Sequence, residues 1–118
     1  MNHRNALFLL TACTLLVACA TDPVPDEQLR LTRQAIEQAE AVGGTDEVAE
    51  LALARNKTAQ AEAAVQDGDN KRARLLAEQA ELDARLAEAK VLTQKSDEQI
   101  AELTRRIARL RQQLGDLQ

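Results

Sequence analysis

The sequence has no tryptophan and no tyrosine, and only one phenylalanine, one methionine, one histidine and one serine. Each scarcity removes a class of chemistry. Without aromatic bulk a thick globular core cannot be filled, and Leu, Ile and Val supply only twenty-one of the residues from Cys19 to Gln118, against nineteen alanines. Acid–base catalysis leans on histidine or on carboxylates tuned in a dry pocket, nucleophilic catalysis on an activated Ser or Cys, and zinc on Cys and His clusters. The single histidine, His3, lies at the N-terminus with Met1, Phe8 and Cys13, away from the charged remainder of the chain. Prolines are confined to Pro23 and Pro25, and glycines to Gly43, Gly44, Gly68 and Gly115, so breaks in regular structure are few and easily placed.

The one apolar run is N-terminal. Met1 to Asn5 is short and polar with a single fixed positive charge on Arg4, and Ala6 to Ala18 follows without any charge. Those thirteen residues fall short of the ~20 needed to span a bilayer and match the apolar core of an export signal ending in a small residue. Leu16, Val17, Ala18 and Cys19 resemble the bacterial lipobox. The resemblance implies cleavage between Ala18 and Cys19, a diacylglycerol thioether on the Cys19 thiol and an acylated new N-terminus carrying chains such as palmitate. The competing reading, an uncleaved anchor with Cys19 as a buried thiol, requires charge, core length, small residue and cysteine to coincide by accident. Several acyl chains hold a protein firmly on its membrane. Ala20 rather than Asp after the cysteine implies, by the same resemblance, outer-membrane sorting with the protein facing the periplasm.

With residues 1–18 removed, the chain from Cys19 on has no histidine, no aromatic residue, no methionine and no free thiol. A disulfide is excluded, because Cys19 is consumed by lipid and has no partner. Catalytic residues, metal ligands and cofactor sites are not expected. Fourteen basic against nineteen acidic residues leave a net charge of minus five, which argues against nonspecific nucleic-acid binding.

Residues 19–26 read as the lipidated cysteine and a linker, because Pro23 and Pro25 oppose helix continuation. Asp26 is a candidate N-cap. Leu29, Thr32, Ile36 and Ala39 then fall at helical spacing, predicting a first helix over about 27–42 that Gly43 and Gly44 stop. Thr45 is a candidate N-cap for a second helix over about 46–67, with Leu51, Ala54, Thr58, Ala61 and Val65 on one face. Asp67, Gly68, Asp69 and Asn70 form the next break. Asp67, Asp69 and Glu78 match positions one, three and twelve of a calcium loop, but Lys71 replaces a ligand and Arg72 stands where glycine must turn. A helix end followed by a new N-cap fits better.

From Lys71 no proline or glycine interrupts until Gly115, and strong helix formers dominate. A third helix over about 70–115 is predicted. Ile100, Leu103, Ile107, Leu110, Leu114 and Leu117 repeat at alternating intervals of three and four, the a and d positions of a heptad seam. The same register runs back over Ala89, Leu86, Leu82 and Leu75, interrupted by Ser96, Thr93 and Gln79. Glu81 with Arg85, and Glu102 with Arg106, are helix neighbours on a solvated face. The fold class is therefore all-α: a lipid-anchored antiparallel hairpin or a three-helix bundle with a long, coiled-coil-like C-terminal helix. A full turn at Gly43–Gly44 makes the bundle, leaving the seam uncovered; a mere kink makes the hairpin.

Leu29 to Lys90 resembles the DUF4398 family, a domain of unknown function found in bacterial lipoproteins and sometimes fused to an OmpA-like peptidoglycan-binding domain. The carrying residues are Ala35 to Gly44, Glu50 to Lys57, Gly68 with Asp69, and the Ala- and Glu-rich run Ala73 to Lys90. The loop proline expected near Thr45 is absent and no OmpA-like domain follows, so wall binding is not implied. The family brings no catalytic residues.

These features lead to a non-enzymatic, membrane-anchored scaffold or interaction module. Its contacts are the membrane, through lipid on Cys19, and an envelope protein or a second copy, through the C-terminal helix. Arg106 at g and Arg111 at e oppose like charges in a parallel homodimer, so an acidic heterologous partner fits better. Arg105, Arg106, Arg109 and Arg111 also suit the negative end of the helix dipole, which requires no partner. A structural tether to peptidoglycan, similar to the major murein lipoprotein, is the second reading; the terminal Asp116, Leu117 and Gln118 lack that protein's wall-linking lysine. An enzyme built on Asp67 and Asp69 would need a dry concave pocket.

Overall fold

The computed structural model describes residues 22–115. Within them the chain forms helix α1 (Asp26–Ala41), helix α2 (Ala49–Gln66) and helix α3 (Asn70–Gly115). The expected export signal over residues 1–18, with Ala18, and the expected lipidation site Cys19 lie outside the described residues, as does Leu117 of the seam.

The two short connections are true turns. Gly43 and Gly68 both adopt positive φ, at 99° and 77°, the left-handed conformation that ends a helix cheaply only in glycine. The Gly68 amide bonds the Val65 carbonyl and the Asp69 amide bonds the Ala64 carbonyl, at 3.0 and 2.9 Å. Gly43 to Glu40 and Gly44 to Ala39, both 2.8 Å, repeat the pattern at the end of α1. Both are Schellman caps, which satisfy carbonyls the helix leaves orphaned. Asp69 then turns donor shortage into a new start: its Oδ1 accepts the Arg72 amide at 3.1 Å, an N-cap for α3. The break read as a helix end plus a new cap is therefore what forms.

Two other cap assignments are corrected. Asp26 lies inside α1, and Pro25 is the cap residue, without a side-chain cap bond; its carbonyl takes the Leu29 amide at 3.0 Å. Proline suits this place because the missing amide is one the helix start cannot use. Thr45 does not cap α2 either. Thr45 to Val48 forms a turn, with the Val48 amide on the Thr45 carbonyl at 3.0 Å, and α2 begins at Ala49. Arg55 reaches back to Glu40 at 2.6 Å and also to Asp46, fastening this loop against the bundle.

The double glycine makes a full reversal, so the bundle forms and the long hairpin does not. The α2 helix runs antiparallel to both neighbours and α1 lies parallel to α3, since Leu29, Ala35 and Ala39 meet Ala77, Ala84 and Ala87 in rising order while Ala61, Ala54 and Leu51 fall; Gln28 donates to Glu81 at 2.7 Å and the Thr32 hydroxyl lies 2.9 Å from the Ala77 carbonyl. The core is a ladder of three-residue layers: Leu29, Ala61 and Ala77; Ala35, Ala54 and Ala84; Ala39, Leu51 and Ala87. Alanine is what allows this. Three helices approach closely only where their facing side chains are short, and interiors pack at crystal-like density. Hence Ala35 and Ala64 take the buried positions, while the bulkier Ile36 and Val65, expected on the inner faces, are only partly covered at the edges. Thr32 and Thr58 are buried because each hydroxyl is satisfied by a backbone carbonyl four residues back, at 2.8 Å in both cases.

Charged pairs flank the ladder: Arg33 with Glu62 at 2.8 Å, Lys57 with Asp83 at 2.6 Å, and Lys90 with Glu50. Glu81 sits below its ordinary carboxylate value because Arg85 and then Gln28 donate to it, and Glu50 is lowered chiefly by Lys90. A carboxyl whose folded pKa is depressed contributes stability above its unfolded pKa and loses it as pH falls through the folded value. The melting temperature is accordingly expected to be level from neutral pH to about 5 and to decline below roughly 4.5, measured by circular dichroism in a pH series.

Of the four glycines, Gly44 sits in the tightest surroundings. A Cβ there would lie 2.6 Å from the Ala39 carbonyl oxygen and 3.1 Å from Leu51 Cδ2. Backbone on one side and a fully buried leucine on the other leave nothing free to give. Gly44→Ala is expected to cost about 1–3 kcal/mol, or roughly 4–8 °C of melting temperature per kcal/mol in a domain of this size.

Candidate interaction surface

The α3 helix carries two stripes. Ala73, Ala77, Ala80, Ala84, Ala87 and Val91 face the bundle and are buried. The leucine register lies roughly 150° around the helix at about 100° per residue, so it points away from α1 and α2. Leu75, Leu82 and Leu86 are about half exposed or more, at 55%, 67% and 49%. Beyond Val91 the shorter helices no longer cover α3, and Leu92 to Gly115 continues as a single helix. Of the predicted seam, Ile100, Leu103, Ile107, Leu110 and Leu114 are all described and all exposed, between 49% and 65%. They fall in one row, as a heptad spacing requires.

Such a row is unusual for a chain alone. Scattered exposed leucines are normal, whereas a contiguous apolar stripe rimmed by polar groups marks a contact surface. A lone surface helix also gains little from its own propensity, since most helical stability in proteins comes from packing. The rim of the distal half is basic. Glu102 accepts from Arg106 at 2.8 Å and from Arg105 at 3.2 Å, with Arg109 at 3.5 Å. These bonds, Arg106 first, hold the Glu102 carboxyl below its ordinary value. One carboxylate is thus shared among three guanidiniums, which leaves positive charge beside the apolar row.

The sequence pattern did not single out Leu92 and Leu53, which are also about half exposed; neither falls on an a or d position. Asp67 and Asp69, the conceivable carboxylate pair, sit at the exposed turn between α2 and α3, where Asp67 ends α2 and Asp69 caps α3.

The start of the described chain is fixed to the same end as that turn. Pro25 is buried, and Asn70 Nδ2 donates to the Asp22 carbonyl at 2.6 Å. Residues 22–25 therefore enter beside the first turn of α3. The seam lies toward the other end of the same helix.

The family model for DUF4398, a domain of unknown function, matches residues 27–103, which takes in the whole bundle and the near part of the seam. A crystal structure of a DUF4398 family protein from Pseudomonas aeruginosa PAO1 is similar at 62% identity and a TM-score of 0.79. The likeness covers 81% of this chain and all of that one. No curated protein matches. The matched span is most of the chain, and a close relative of known structure carries the same assignment, so this chain belongs to the DUF4398 family.

Proposed function

We propose that the chain is a lipid-anchored, non-enzymatic interaction module of the bacterial envelope, held on the outer membrane through Cys19 and working by helix docking along the exposed seam of α3. The observation that carries this reading is the uncovered row from Ile100 to Leu114 on a helix whose other stripe has already built the fold. Anchor and seam are well placed for such work. Cys19 precedes Asp22 by three residues, and Asp22 is tied to Asn70 at the start of α3. Lipid at that end leaves the seam about 45–65 Å along the helix, at ~1.5 Å per residue. Adhesion rather than chemistry is favoured because the two turn carboxylates are exposed and Asp69 is engaged in capping. The test is crosslinking in intact cells from a photoreactive residue at Leu110, followed by membrane fractionation. Specific adducts in the outer-membrane fraction are the expected result; a chain found soluble in the periplasm, or one giving no adduct, contradicts the proposal.

A further inference from the structure

Resting on the reading that the seam is a docking surface, we infer that its occupant is a second copy of this chain, bound antiparallel along the whole outer stripe of α3. The stripe is nearly symmetric about the midpoint between Gln94 and Lys95. Reversing a second α3 about that point sets Leu86 opposite the second copy's Leu103, Leu82 opposite Ile107, and Leu75 opposite Leu114. Ile100 meets Ala89, and among the described seam residues Gln79, opposite Leu110, breaks the match. The overhanging half of each chain thereby covers the leucines that the other chain's bundle leaves exposed at 49–67%. An antiparallel overlap confined to the distal halves would leave Leu75, Leu82 and Leu86 in water.

The polar centre fits this arrangement. Thr93 meets Ser96 at the two-fold axis, and the Thr93 hydroxyl already donates to the Ala89 carbonyl at 2.8 Å, so burying it leaves no orphan donor. Polar layers of this kind, here a symmetric pair, fix register in helix pairs. Charge then selects the direction. In a parallel, in-register pair the g and e positions bring together Glu78 with Asp83, Arg85 with Lys90, and Arg106 with Arg111, like charges every time. Reversed, Lys90 faces Asp97. The one like-charge pair, Arg85 with Arg106, is softened because each carries its own carboxylate, Glu81 at 2.6 Å and Glu102 at 2.8 Å.

The test uses the full chain in native membranes with cysteines placed at Leu86→Cys and Leu103→Cys. These positions sit about 26 Å apart along one helix at ~1.5 Å per residue, too far for a bond within a chain and well placed for one between antiparallel chains. Under mild oxidation the double variant is expected to form a disulfide dimer at least ~10-fold above either single variant, since neither position meets itself across the axis. Co-expressing the two single variants should restore the dimer. A Leu86→Cys chain that links efficiently to itself overturns the antiparallel arrangement. A photoreactive residue at Leu103 distinguishes the remaining outcomes: adducts only to a different envelope protein overturn the second copy while the docking surface stands, and no adduct at all overturns both.

Discussion

Ala84→Leu is expected to lower the melting temperature by more than about 10 °C, or to abolish the cooperative transition. Ala84 is fully buried in the layer it forms with Ala35 and Ala54, one residue from each helix. A leucine there must push three helices apart, and the shift spreads to the layers above and below because all share the same helix axes. Overpacking typically costs ~1–3 kcal/mol where neighbours can adjust; around this all-alanine layer the adjustable neighbour is the partly covered Ile36 at its edge, so the upper end or beyond is expected. At roughly 4–8 °C per kcal/mol the change is large and easily read by thermal melting. The matched control is Ala89→Leu, five residues further along and on the exposed side of the same helix. It enlarges the outer stripe without touching the ladder and should leave the melting temperature within a few degrees.

The opposite result is expected from the double substitution Leu103→Glu and Ile107→Glu. Both residues are exposed and touch neither α1 nor α2, and surface changes of this sort are usually within about 0.5 kcal/mol. Helicity and bundle stability should therefore be retained. Association through α3 should be lost, because four carboxylates would enter an apolar interface, where an unpaired buried charge costs several kcal/mol. Sedimentation of the purified chain measures this directly: at least a ~100-fold weaker self-association is expected, since every 1.4 kcal/mol is tenfold. Unchanged association would place the contact elsewhere on the molecule.

Much of this architecture was legible because glycine and proline punctuate it sharply. Gly43, Gly44 and Gly68 stand where the chain must turn, and the uninterrupted run after Asn70 could only be one long helix. The direction of the double-glycine break was less so. A kink and a reversal use the same residues locally; what decides is whether α1 has a stripe short enough to sit beside α2 and α3, and alanines at 35 and 39 supply it. The start of α2 was misplaced because Thr45 has the right local chemistry for a cap, but Gly44 is held against Ala39 and Leu51, and Arg55 draws Asp46 and Glu40 together. Those contacts hold the next residues in a turn until Val48.

The two stripes of α3 show a different limit. Periodicity weighs large residues heavily, so the leucine register stands out in the sequence and the alanine register does not. Burial weighs the approach of helix axes, which rewards the smaller residue. The prominent pattern thus marks what the fold leaves exposed, and the inconspicuous one marks the core. Cys19 and Leu117 were read from the sequence alone, outside the described residues.

The central claim, that the alanine face of α3 makes the fold and the leucine face makes the contact, is tested most directly by amide hydrogen exchange on the full chain as a function of concentration. Amides from Ala73 to Val91 should be protected at every concentration, because α1 and α2 cover them within the chain. Those from Ile100 to Leu114 should be protected at high concentration and lose protection on dilution, or on introducing the two glutamates. Distal amides whose protection is unaffected by either treatment would contradict it.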